Sequence, residues 1–140
     1  VRGAPRDDVG VALDARGGRV KPAVVRWQIV TAEPDASARF YRALFGWPVD
    51  SSGALAYREV ASGEGRGIDG GIWPAPPGAP SFVQLFVEVP DLDARIAAAV
   101  ALGATVVVPK SALPDGDTMA VLRDPTGLTF GLMAPAAPRR

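Results

Sequence analysis

Arg26, Gln28 and Gln84 are the polar side chains best placed to do work, because each interrupts a run of β-branched and aromatic residues. A guanidinium grips a carboxylate or carbonyl oxygen through parallel N–H bonds, and a primary amide can both donate and accept beside it. The residues that could move protons are Tyr57, Glu59, Glu88 and Asp117. They stand out by elimination, since among 140 residues there is no His and no Cys. A Ser-His-Asp triad, a thiolate nucleophile, a disulfide and a thiolate metal site are therefore all excluded. Tyr57 and Glu59 fall on one face of any strand that holds both.

Side chains with those tasks need rigid elements beneath them. Val24 to Val30 is β-branched and aromatic, which predicts a strand carrying Arg26 and Gln28. Pro34 suits the first position of a helix, where its missing N–H costs nothing. Ser37, Phe40, Tyr41 and Leu44 form an apolar stripe at helical spacing, and Gly46 supplies the stop. Three short strands are expected next, at Trp47 to Asp50, Leu55 to Ala61 and Ile68 to Trp73. The proline-rich stretch that follows can be neither helix nor central strand, and residues 75–81 read as a linker.

After the linker the same order returns. Phe82 to Val89 predicts a strand, and Asp91 caps a helix with stripe Leu92, Ile96, Ala99 and Val100, closed by Gly103. Strands are expected at Thr105 to Val108, Thr118 to Arg123 and Leu128 to Met133, the last two joined by a turn at Asp124-Pro-Thr-Gly127. Leu44-Phe-Gly46 matches Ala101-Leu-Gly103, and Gly70-Gly-Ile-Trp73 matches Phe130-Gly-Leu-Met133. A duplicated strand–helix–three-strand unit is the natural reading. It gives one domain over 23–135, with module one at 23–74 and module two at 82–135. Residues 1–22 and 136–140 show no sustained period and are expected to be flexible tails.

Strand alternation then assigns faces. Val25, Trp27 and Ile29 are expected beneath the first helix, with Arg26 and Gln28 opposite. On the next module's first strand, Val83, Leu85, Val87 and Val89 make the apolar face, leaving Phe82, Gln84, Phe86 and Glu88 opposite. Ile72 and Leu132 lie on the helix sides, while Gly71, Trp73, Gly131 and Met133 face away. A second face holding Phe82, Phe86, Trp73 and Met133 together with Arg26, Gln28 and Gln84 either lines a small-molecule pocket or packs on another chain.

Arg39-Phe-Tyr-Arg-Ala-Leu-Phe-Gly-Trp47, Val87-Glu-Val-Pro-Asp-Leu-Asp93, Ala101-Leu-Gly-Ala104 and Asp124-Pro-Thr-Gly127 together resemble the signature segments of the glyoxalase/bleomycin-resistance/dioxygenase family, the vicinal oxygen chelate superfamily. The resemblance runs from about Val24 to Pro135. It implies an α+β fold in which two tandem βαβββ modules form a cupped mixed sheet, often in a homodimer. It also implies one divalent metal held by His, Glu or Gln on the first and last strands of each module. Those positions fall here on Arg26, Gly71, Gln84 and Gly131, so the resemblance carries fold and not metal chemistry. No metal and no cofactor is expected.

Two functions follow from this. One is sequestration or carriage of a small, acidic or carbonyl-rich molecule, as in the bleomycin-resistance branch, by Arg26, Gln28, Gln84, Phe86, Trp73, Met133 and Phe82. The other is a metal-independent lyase, isomerase or cyclase. Fifteen Lys plus Arg balance fifteen Asp plus Glu, which gives no reason to expect nucleic acid. No apolar run suits a bilayer and no apolar leader opens the sequence, so a cytoplasmic protein is expected. Arg26 needs a partner, either a ligand carboxylate or an internal acid such as Glu59 or Asp117.

Overall fold

A computed structural model of the chain describes residues 12–13, 19–53 and 56–136. It divides into two compact units, one of residues 25–86 and one of residues 87 onward with those before 25.

In the first unit, β3 (Ala23–Thr31) leads into α1 (Pro34–Phe45), then β4 (Val49–Asp50), β5 (Arg58–Val60) and β6 (Gly70–Pro74). Hydrogen-bonded strand order is β4-β5-β6-β3, with the start of β7 (Phe82–Glu88) beside β3. β3 and β6 run parallel, pairing Trp27 with Gly70 and Ile29 with Ile72. Parallel neighbours need a crossover, and α1 is part of it. Pro34 occupies the first turn of α1, and Gly46 ends it in the left-handed region at φ 73°, its N–H bonded to Arg42 O.

Trp27 and Ile29 pack with Trp47 and Val49 around buried Ala38, Val60 and Ile72, as alternation along β3 requires. The stripe expected on α1 is met in part, with Ser37 and Tyr41 half-buried. Phe40 and Leu44 are exposed, and the sheet is met instead through Ala38. Tyr41 stacks against Trp47 with ring centroids 6.0 Å apart, and Phe45 meets it tilted at 4.7 Å.

The second unit holds the end of β7, then α2 (Leu92–Ala101), β8 (Thr105–Ala112), β9 (Thr118–Arg123) and β10 (Thr129–Ala134). β10 pairs antiparallel with β9, and β9 with β8, giving the order β7-β10-β9-β8. Asp91 caps α2 by accepting from Ala94 N–H at 3.0 Å. Val89, Leu92, Ala120, Leu122 and Leu132 are buried together with Val87, Ile96 and Ala99 packed on them. Val100, expected in the α2 stripe, is exposed. β8 runs longer than expected, through Pro109, and register shifts interrupt the ladder between Val106 and Val108 and between Val108 and Ser111. An outermost strand tolerates the missing N–H. Asp124 Oδ1 accepts from Thr126 N–H, Thr126 Oγ1–H and Leu128 N–H, which builds the expected turn.

Ahead of these, β1 (Ala12–Leu13) and β2 (Arg19–Val20) form a short antiparallel ladder within the segment read as a tail. Residues 137–140 lie outside the described part of the chain.

Burial along β7 departs from the reading by alternation. Val83 and Leu85 are 57% and 47% exposed, whereas Gln84 and Phe86 are buried. The faces alternate as expected, but the α2-side cluster takes in only Val87 and Val89. Upstream of them it is the opposite face that is enclosed, beginning with Gln84 against Gln28.

Candidate functional site

Arg26 projects from β3 away from α1, and a tyrosine meets it there. Arg26 Nη1 donates to Tyr57 Oη at 2.7 Å and reaches Gly70 O at 3.4 Å. Its guanidinium carbon lies 5.6 Å from the Tyr57 ring centroid, within cation–π range. Tyr57 stands just before β5, whose Glu59 pairs opposite Gly71. The ring lies over Gly71, where an added Cβ would fall 1.9 Å from Tyr57 Cζ. On the other face of the same strand an added Cβ at Gly70 would fall 2.1 Å from the Trp27 ring. The two glycines therefore open space for an aromatic ring on each side of β6. Trp73 completes the wall, its ring centroid 6.0 Å from that of Tyr57.

Gln28, two residues along from Arg26 on the same face, is buried with Gln84. Gln84 Nε2 donates to Gln28 Oε1 at 2.6 Å. Gln84 Oε1 is left buried and without a donor, an arrangement that is costly in a dry interior.

Burial raises the Tyr57 phenol above its ordinary value of 10.0; the Arg26 charge and hydrogen bond oppose the rise, and nearby Glu59 adds to it. Tyr57 is thus a phenol at neutral pH. Its oxygen accepts from Arg26, which leaves its own proton to give away. The phenol O–H and the remaining guanidinium N–H groups make a donor set suited to a carboxylate or a polarised carbonyl.

Neither acid considered for Arg26 is its ion-pair partner. Among the described residues no carboxylate lies within ion-pair distance of it. Glu59 is exposed, and Asp117 belongs to the other unit, where it accepts from Ala136 N–H. Of the seven expected ligand contacts, Arg26, Gln28, Gln84 and Trp73 take part in the contacts just described. Phe86 is buried in the same unit, and Phe82 is 43% exposed. Met133 stands half-buried on β10 of the second unit. Tyr57 was legible only as an acid–base candidate, and the signal that could have placed it is Gly71, a vacancy that its ring fills.

The sequence profile of the glyoxalase-like domain family matches residues 24–133. The chain belongs to that family. A protein named "Putative glyoxylase CFP32", in both Mycobacterium bovis and Mycobacterium tuberculosis, is 32% identical over 112 residues. That match covers 78% of this chain and 42% of theirs, so the glyoxalase-like chain spans less than half their length. Among solved structures, a Streptomyces coelicolor methylmalonyl-CoA epimerase in complex with 2-nitronate-propionyl-CoA superposes with TM-score 0.59 at 18% identity, over 84% of this chain and 97% of that one. Methylmalonyl-CoA epimerase from Mycobacterium tuberculosis gives 0.58 at 18%, over 82% and 88%. A hypothetical protein from Bacillus halodurans gives 0.63 at 11%, over 86% and 99%. These likenesses establish the α+β vicinal-oxygen-chelate fold.

The metal that the fold family implies does not fit the residues of the first unit. Arg26 puts a permanent cation where the resemblance expects a ligand. The side-chain space at Gly71 is taken by Tyr57, and Gln84 Oε1 offers one neutral oxygen, too little to hold a divalent ion against water. No group of three or more His, Cys, Asp or Glu side chains able to hold an ion occurs among the described residues. No helix among those residues is long and apolar enough to cross a membrane.

Proposed function

We propose that this glyoxalase-like protein binds a small organic molecule through a carboxylate or carbonyl group without a resident metal, as a sequestering or carrier protein. The observation that carries the reading is Arg26: a half-buried guanidinium whose described partners, the Tyr57 hydroxyl and a backbone carbonyl, are both neutral. A partly desolvated charge without a counter-ion is costly, and a bound anion relieves that cost. Tyr57 supplies the second donor, Trp73 an aromatic wall, and Gln84 Oε1 an acceptor for a ligand N–H or O–H.

The alternative reading is a metal-independent lyase, isomerase or cyclase. It is favoured by one feature, the phenol held against a guanidinium, which could donate a proton to a developing oxyanion while Glu59 serves as base. The methylmalonyl-CoA ligand class of the structural neighbours enters only as a candidate to screen. A homodimer completes the proposal. Its support is the exposure of the large apolar side chains Phe40, Leu44, Val83 and Leu85.

The test is native mass spectrometry of the gently purified protein together with calorimetric screening of small carboxylic acids and acyl-CoA thioesters. A bound or titrated acid is expected, with Arg26→Ala weakening it by about 1.5 to 3 kcal/mol, the scale of a charge-assisted hydrogen bond. Near-stoichiometric zinc, nickel, iron or manganese by elemental analysis would sink the metal-free reading. Unchanged affinity in a folded Arg26→Ala protein would sink the role of Arg26.

A further inference from the structure

On the outer side of the first unit, remote in chemistry from Arg26, a cleft of about 180 Å³ is lined by Asp35, Ala38, Arg39, Arg42, Val49, Ser51 and Arg58. We propose that this cleft is a second binding site, specific for the phosphate group of a phosphorylated small molecule. Its charge is built unevenly. Arg58 is spent on structure: Nε and Nη2 both donate to Asp35 Oδ1, at 3.1 and 2.8 Å, and Nη1 donates to Ala56 O at 2.9 Å. The Arg58 side chain is only 18% exposed, so it forms a fixed floor. Arg39 and Arg42 are exposed on adjacent turns of α1, and among the described residues neither has an ion-pair or hydrogen-bond partner. Three guanidiniums against one carboxylate leave two positive charges at the cleft.

Two free guanidiniums match a phosphate monoester dianion in charge, and the planar fork suits paired phosphate oxygens. Ser51 adds a hydroxyl, and Ala38 and Val49 give the carbon beside the ester oxygen an apolar surface to rest on. The volume accommodates one phosphate group with its first carbons and no more, so the body of the ligand would project outward. α1 covers one face of the strands here and Arg26 lies on the other, which makes this site independent of the reading above.

The test is an amide NMR titration of the full chain with inorganic phosphate and with phenyl phosphate, against sodium chloride at matched ionic strength. Saturable shifts are expected at Ala38–Arg42, Ser51 and Arg58 with both phosphates and not with chloride. The Arg39→Gln/Arg42→Gln double variant, altered only at exposed positions, should weaken binding on the order of tenfold or more. Arg26→Ala should leave it unchanged. Shifts that merely follow ionic strength, or affinity that survives the double variant, would overturn the site. Saturation by inorganic phosphate alone would overturn the assignment to a phosphate ester.

Discussion

Replacing Gly71 by Ala adds one methyl group, and that methyl lands on Tyr57. The built Cβ would lie 1.9 Å from both Tyr57 Cζ and Oη, and 2.4 Å from Cε1. Gly71 does not have a left-handed φ, so alanine strains no backbone there and the whole cost comes from the ring. A displaced ring gives up three contacts. The Arg26 hydrogen bond is worth about 1.5 to 3 kcal/mol, as a bond to a charged group. The cation–π contact is worth about 0.5 to 1 kcal/mol. The contact with Trp73 is worth about 0.5 to 1.5 kcal/mol. Contacts shared by one ring do not add in full, so a loss of about 2 to 4 kcal/mol is expected. Urea unfolding of the wild type, Gly71→Ala, Tyr57→Ala and the double variant closes a thermodynamic cycle. If Tyr57 is the obstacle, Gly71→Ala should cost little once the ring has been removed. An equal cost in both backgrounds would refute the placement of Tyr57 over β6.

The raised Tyr57 phenol has a defined pH signature. The unfolded chain ionises first, so stability from this group is intact below the ordinary value of 10.0 and falls as pH rises beyond it. In a Tyr41→Phe protein the remaining phenolate absorbance should titrate above 10.0, and a midpoint below that would contradict the burial argument. Light scattering at micromolar concentration should give twice the 14.5 kDa chain mass, and a monomer would remove the homodimer.

Much of the fold was legible because local signals agreed with one another. Pro34, Gly46, Asp91 and the Asp124 turn each act through a few neighbouring bonds, and each does in the structure what its type implies. Alternation along β3 separated Trp27 and Ile29 from Arg26 and Gln28 for the same reason. What alternation cannot carry is the extent of cover. It sorted Val83 from Gln84 correctly by face, yet which face is enclosed depends on where α2 and the neighbouring strands lie. On α1 both Phe40 and Ala38 are apolar, and only packing decides that Ala38 is the one buried. The Arg26–Tyr57 contact spans 31 positions, and nothing local announces it.

The buried amide pair also bears on how the strands find their alignment. Gln28 on β3 and Gln84 on β7 are 56 positions apart and joined side chain to side chain. Sliding β7 by one residue would set Val83 or Leu85 against Gln28 and leave its carbonyl buried without a donor. The same slide would turn Val87 and Val89 out of their cluster. A hydrophobic pair at these positions would hold the strands together at least as tightly, but it would tolerate neighbouring alignments. Two amides tolerate only one, so the pair acts as a selector among misfolded pairings, and its loss should show first as heterogeneity of the folded population and only later as a lower melting temperature.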